Sequence, residues 1–514
     1  RITVPSENRL PKERYDALPT NNFIDELAHS QFQRLGLFPS DLCTDSEFLR
    51  RASLDAIGRL PTTEEAKSFL DNKSPDKRNK LIDRLLADPA YADHWANKWA
   101  DLVRPNPDRA GLKSVYILDQ WLREAFRKNK SMDQFAREMV GASGSTHRFG
   151  PTVVYRDKRT PPELAKIFSQ IFLGTRLECA RCHNHPNEKW TLTDFHAFSA
   201  FFGKIKRKGA GVSPPISGGT EWFFHGGSGN VTHPVTGKAL APKPPDAPQP
   251  KLDAKDDPRD VLVDWMTQPD NPFFARAMVN RVWGAFFGRG IVEPVDDMRA
   301  SNPPVNAALL DALAKHFVSL KYDQKALIRT VMQSRLYQLS SAPNDTNVAD
   351  RRNFSRSYRR RLSAEVLLDA VSDVTGVPET YSATWPGARA METWNFKISS
   401  EFMDAFGRPN SSSDPPCERN IKGTILQSLH MMHSEKLNSK IIHDKGLASR
   451  LAGSKKTPAE MADEVYLVAY SRRPTDKEKE LVVNFFKEHK DGRRAAAEDF
   501  VWAIINSAEF VLNH

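Results

Sequence analysis

The stretch RTPPELAKIFSQIFLGTRLECARCH, residues 159–183, decides both the fold class and the place to look for chemistry. Thr160 and Glu163 stand at the spacing of a capping box, in which each side chain satisfies a backbone donor left free by the first helical turn. Prolines at 161 and 162 suit that first turn, where a missing N–H costs nothing. Leu164, Ile167, Phe168, Ile171 and Phe172 then recur at helical spacing, which predicts an amphipathic helix. Cys179-Ala-Arg-Cys182-His183 follows at or just past the end of that helix.

The same grammar runs through most of the chain. Thr44 and Glu47 open TDSEFLRRASLDAIGRLP, Phe48, Ala52 and Ile57 form its stripe, and Gly58 and Pro61 stop it. Thr62 and Glu65 cap the next helix. Others are expected at DKRNKLIDRLLADP, ADHWANKWADLV, SVYILDQWLREAFRK, PFFARAMVNRVWGAFFG, NAALLDALAKHFVSLK, KALIRTVMQSRLYQLS and RLSAEVLLDAVSDVTG. Between about Gly203 and Pro258 the composition shifts to Pro, Gly and Lys, around EWFFHGGSGNVTHPVTGK, which reads as a short β-hairpin. The expected architecture is therefore mainly α, a multi-helical two-domain chain with a Pro/Gly-rich linker and a small hairpin between the halves. Residues 1–203 form a helical domain carrying C-x-x-C-H, 204–257 the linker, and 258–514 a helical C-terminal domain. GRLPTTEE (58–65) and SRRPTDKEKE (471–480) echo each other, and two uses of one capping solution explain this without a repeat.

With 514 residues the chain exceeds one hydrophobic core, and 10 Trp and 29 Phe supply an aromatic interior. No apolar run reaches the roughly 20 residues of a membrane helix. The first residues, RITVPSENRL, have neither an initiator Met nor an export segment, as in a processed chain. A net charge of +10 favours anionic partners or a solvated basic surface. RRNFSRSYRRRLSAE (351–365) is the densest basic run, but no nucleic-acid module accompanies it, and nucleic acid is not an expected partner. Four cysteines exclude a disulfide-built scaffold and leave room for one bridge, Cys43 to Cys417.

C-x-x-C-H lets two thiols add to the vinyl groups of one haem while the next histidine meets the iron. On that reading Phe168, Phe172, Phe195, Phe198, Phe201 and Phe202 are an apolar wall for the porphyrin. The bland alternative is that they are plain core. Zinc is the chemical competitor, with Cys179, Cys182, His185 and either His183 or His196 as a tetrahedral set. A thioredoxin-like dithiol would want the pair at a helix N-terminus, and here it follows a helix. His185 stands too close to His183 to reach the opposite haem face, which leaves His196, His233, His430, His433 and the methionines as distal candidates. Asp296, Asp297 and Arg299 read as capping or ion-pair residues, and AFGRPNSSSDPPCERN (405–420) as a long polar loop holding Cys417. No G-x-S-x-G or H-E-x-x-H appears.

Over nearly its whole length the chain resembles the planctomycete cytochrome-like family. The resemblance rests on FLRRASLDAIGRLPTTEEAKSFL, YADHWANKWADLVR and FLGTRLECARCHNHPNEKWTLTDFHAFSAFF in the first half. In the second it rests on NPFFARAMVNRVWGAFFGRGIVEPVDDMRASNPP, LIRTVMQSRLYQLSS, DAFGRPN, CERN and INSAEFVLNH. It implies a cytochrome-like domain followed by a second domain of unknown function. It also implies export to the periplasm or beyond, with one covalent haem c on Cys179, Cys182 and His183 and with His185 and Trp190 as pocket residues. Pro415 stands where the family often has a further cysteine. The function expected on this basis is that of an exported mono-haem oxidoreductase or electron-transfer protein with a substrate cleft between domains, working with a redox partner protein. A carbohydrate-active or carbohydrate-binding protein for anionic, sulfated polysaccharide is the alternative, and a zinc-stabilised interaction protein the second.

Overall fold

The computed structural model describes residues 10–209, 219–253, 255–395, 397–412, 419–420 and 423–514. The protein is mainly helical, 53% helix against 5% strand, and its few strands form small antiparallel sheets. It divides into two compact units, each assembled from separated pieces of chain. The first contains Arg1–Phe38, Lys98–Tyr337 and Val348–Ser355, the second Pro39–Asn97, Gln338–Asn347 and Arg356–His514. Each unit draws on both halves of the sequence, so division by contact differs from division in chain order at 203 and 257. The Pro/Gly-rich stretch belongs inside the first unit, because its strands pair there.

In the first unit the capping box at Thr160 opens the helix Pro161–Phe172, whose buried face carries Leu164, Ile167, Phe168, Ile171 and Phe172. These side chains enter an aromatic core. Phe168 stacks on Phe172 at 6.1 Å and on Phe202 at 5.5 Å, and lies 6.0 Å from Tyr155. Phe172 reaches Trp99 at 6.1 Å and Phe274 at 6.2 Å. Beside this core lies a three-stranded sheet in which Glu221–His225 is central, between Gly144–Ser145 and Ile205–Gly209. The expected hairpin forms at the end of EWFFHGGSGNVTHPVTGK, where Val231–Thr232 pairs antiparallel with Ala239–Leu240, while Glu221–His225 pairs outward. The cause is burial of Phe223, 3% exposed and 6.1 Å from Tyr155, which holds the strand against the core instead of its sequence neighbour.

The second unit is built on Asp45–Ile57, Thr63–Asp71, Ala364–Thr375, Pro458–Tyr470 and Gly492–Ile505. Leu54, Leu367, Val371, Val465, Val501 and Ile505 share its apolar core. Both expected boxes form, at Thr44 with Glu47 and at Thr62 with Glu65. Gly58 ends the first helix at φ +65°, and a Cβ there would lie 2.3 Å from His94 Nδ1, so the position requires glycine twice over. The echoed segments share one local device. Arg59 pairs with the box residue Glu65 at 2.9 Å, and Arg472 with its counterpart Glu478 at 2.7 Å.

Phe168 is 1% exposed, and truncation would leave a cavity among three aromatic neighbours, Tyr155, Phe172 and Phe202. Phe168→Ala is expected to destabilise the first unit by about 3–5 kcal/mol, read as a lower urea midpoint at unchanged slope. A loss below about 1 kcal/mol would mean that the ring does not belong to the core.

Candidate functional site

An α-helix leaves its last four carbonyls without partners, and each must be answered from elsewhere. At the end of Pro161–Phe172 the Ser169 carbonyl accepts the N–H groups of Leu173 and Thr175, at 3.0 and 3.2 Å. Arg281 takes the next two, Nη2 donating to Gln170 O at 2.6 Å and Nε to Ile171 O at 3.1 Å. Burial pushes the Arg281 guanidinium down to about 10, still charged at neutral pH. The chain then turns at Gly174, φ +61°, where a Cβ would press on Ala277 and Met298 at 3.2–3.3 Å. The freed backbone pairs instead, Met298 N–H donating to Gly174 O at 2.8 Å.

Two carboxylates hold the loop that follows. Asp296 accepts from Arg176 Nη2 at 2.7 Å and from Gln170. Burial works to raise its carboxyl, but these hydrogen bonds and the Arg176 charge outweigh it and hold Asp296 below the usual aspartate range. Glu188 accepts from Ser301 Oγ at 2.8 Å and from the amides of Ser301 and Ala300. Here too burial acts upward, and the Ser301 and Ala300 donors win and hold the carboxyl low.

On this braced loop Glu178–Arg181 form one 3-10 turn, and Cys182 continues it in the right-handed region. Side chains three apart eclipse in such a turn, so Cys179 and Cys182 stand on one side. Both thiols are exposed and unpaired. His183 is exposed as well, with Nδ1 2.7 Å from Asn184 O. A carbonyl only accepts, so the neutral ring is protonated at Nδ1 and offers its Nε2 lone pair outward, the tautomer suited to a metal. His196 is buried beneath the motif with Nε2 3.1 Å from Arg181 O, which holds the turn from below. His185 N–H donates to Trp190 O at 2.8 Å, and His185 Nδ1 accepts from Asn187 N–H at 3.2 Å. Trp190 is buried, with Lys189 Nζ 5.0 Å from its ring centre.

The donor set therefore fits the two thioether bonds and one axial ligand of a c-type haem. The apolar wall does not form. Phe168, Phe172, Phe195, Phe198, Phe201 and Phe202 are each 0–2% exposed, packed on one another and on neighbouring core rings rather than open toward the motif. Instead the exposed residues beside the thiols in sequence are polar or charged, among them Arg176, Glu178, Arg181 and Asn184. The zinc set does not converge. His185 Nδ1 accepts a local amide, His196 faces inward to Arg181 O, and among the described residues no three His, Cys, Asp or Glu come together on a metal position. Of the distal candidates, His233 Nδ1 accepts the amides of Val235 and Thr236 in its own turn. His430 and His433 belong to the second unit, His430 lying 5.4 Å from Phe402 there.

Elsewhere, Asp297 pairs with Arg299 at 3.1 Å, as read from sequence. In the second unit Arg419 makes two hydrogen bonds to buried Glu365, at 2.7 and 3.0 Å. Cys43 is buried, which pushes its thiol up. Cys417 and Pro415 lie outside the described residues, and with them the Cys43–Cys417 bridge. A cavity of about 490 Å³ in the second unit is lined by Glu64, Lys67, Asp373, Arg450 and Glu464 among others. Its charges already neutralise one another, as in Arg450–Glu464 at 3.0 Å. Arg281, Glu188 and His196 are the supporting residues that sequence reasoning missed or misassigned. Their partners are mostly backbone groups, which leave no mark in residue identity.

Residues 23–207 match the family PSCyt2, described as a protein of unknown function (DUF1549), and residues 258–486 match PSD1, described as a protein of unknown function (DUF1553). No curated protein and no solved structure matches the chain.

A carboxylate whose folded pKa is depressed stabilises above its unfolded value, about 3.9, and that contribution disappears as pH falls through the lower folded value. The motif loop should therefore be fully held at pH 5 and above and loosen below about pH 4. Asp296→Asn should loosen it at neutral pH, speeding amide hydrogen exchange over residues 173–190 several-fold. Exchange unchanged in that variant would show that Asp296 does not brace the loop.

Proposed function

We propose that this chain, which belongs to the planctomycete cytochrome-like proteins joining a PSCyt2 domain to a PSD1 domain, is an exported mono-haem c-type protein that exchanges electrons with a redox partner. One observation carries the reading. Cys179 and Cys182 present two unpaired, exposed thiols on one side of a single turn, and His183 follows with its Nε2 lone pair directed outward. The thiols would form the thioethers and His183 the axial bond. The group so held supplies one-electron oxidation and reduction.

The chain's own residues account for the rest. Arg281 and Asp296 fix the helix end and the loop, so that the thiols and imidazole keep their spacing. His196 holds the Arg181 carbonyl inside the motif. His185 and Trp190 close the loop that follows and mark its flank. The exposed, charge-flanked position suits exchange with another protein better than chemistry enclosed from water. Export agrees with haem attachment outside the cytoplasmic membrane.

The test is expression in a host able to mature c-type cytochromes. The expected product has a Soret band and one covalent haem per chain, absent in Cys179→Ser/Cys182→Ser. His183→Ala should keep covalent haem with an altered ligation spectrum. In the haem-free chain, Cys179 and Cys182 should react at once with a thiol reagent, Cys43 only on unfolding, and haem attachment should remove the two fast thiols. A matured chain with no Soret band and both thiols still reactive would overturn the reading.

A further inference from the structure

The central strand Glu221–His225 alternates in burial, and the alternation leaves two large rings outside. Phe223 is 3% exposed on the core side, while Trp222 and Phe224 on the other face are 47% and 44% exposed. Isolated exposed aromatics are ordinary, but two on one sheet face, about 7 Å apart by strand geometry, form a platform. In the antiparallel register with Ile205–Gly209, Lys208 is opposite Trp222 and Lys206 is opposite Phe224. Opposed residues share a face at about 5 Å between Cβ atoms, so each ring has a lysine beside it. Both lysines are exposed, and among the described residues neither has an acidic partner. The Lys206 stem is seated against Gly226, where a Cβ would come within 2.3 Å of Lys206 Cγ. Ser145 stands opposite Trp222 on the third strand. Arg207 pairs in register with Phe223 and so belongs to the other side.

We propose that this sheet face is a binding site for an acidic polysaccharide. The rings stack on the flat apolar faces of successive sugars, and Lys206 and Lys208 meet their sulfate or carboxylate groups. Complementary charge selects the acidic polymer, since the full attraction of the cation beside each ring is met only by an anionic group on the sugar. The cations are lysines, compact point charges, and the planar arginine fork favoured for phosphate backbones is directed away, which argues for a glycan over a nucleic-acid strand. The site shares no residue with the haem motif, so either reading stands if the other fails.

The experiment compares the whole chain binding a sulfated galactan (carrageenan), an uncharged agaro-oligosaccharide of related backbone, and single-stranded oligo-dT. Carrageenan is expected to bind, more weakly with added salt. Trp222→Ala/Phe224→Ala should weaken binding at least tenfold. Lys206→Gln/Lys208→Gln should erase the preference over the uncharged oligosaccharide. Trp385→Ala, which removes a tryptophan 47% exposed in the second unit, should change nothing. Circular dichroism confirms that each variant is folded. No carrageenan binding, equal binding of both galactans by the wild type, tighter binding of oligo-dT, or binding indifferent to the ring substitutions would each overturn the proposal.

Discussion

The end of one helix, and the single guanidinium that closes it, set the terms for everything near the motif. Arg281 answers the Gln170 and Ile171 carbonyls from a half-buried position. Hydrogen bonds involving a charged group contribute about 1.5–3 kcal/mol each, and a buried carbonyl left without one costs a comparable amount. The helix must therefore stop where Arg281 waits, Gly174 must turn in the left-handed region, and the chain must run along Met298, Asp296 and Ser301. The thiols and His183 stand where they do because the backbone beneath them has few other places to go.

That bracing joins what chain order separates. The motif lies within the stretch matching PSCyt2, while Arg281, Asp296 and Ser301 lie within the stretch matching PSD1. All belong to the same compact unit. The two family regions are not independent bodies at this point, because the second supplies counter-charges and carbonyl partners to the first. The same unit spends its aromatic residues on its interior. With six phenylalanines committed to packing, the motif faces water, and the large rings exposed at the surface include those of the sheet, Trp222 and Phe224.

Features carried by short-range physics were legible. Capping boxes at Thr44, Thr62 and Thr160 need partners three residues away, and all three form. The pairing of Asp297 with Arg299 is equally local. The phenylalanines near the motif misled, because helical spacing states that a face is buried without saying against what. The hairpin was legible as the local ribbon of Val231–Thr232 with Ala239–Leu240. The pairing of Glu221–His225 was not, because contact between Phe223 and Tyr155 drew that strand to partners more than ten residues distant.

By itself the sequence determined that the chain is mainly helical, where several helices begin, and that two cysteines and a histidine leave a helix end together. Periodicity, capping and covalent spacing operate within a few residues and are written in residue identity. Tertiary structure alone decided that the phenylalanines fill the core, that His196 turns inward to a carbonyl, that the zinc candidates diverge, and that Arg281 and Asp296 hold the loop from more than a hundred residues away. Those outcomes depend on backbone acceptors and on competition for buried volume, and neither is visible until the chain has closed on itself.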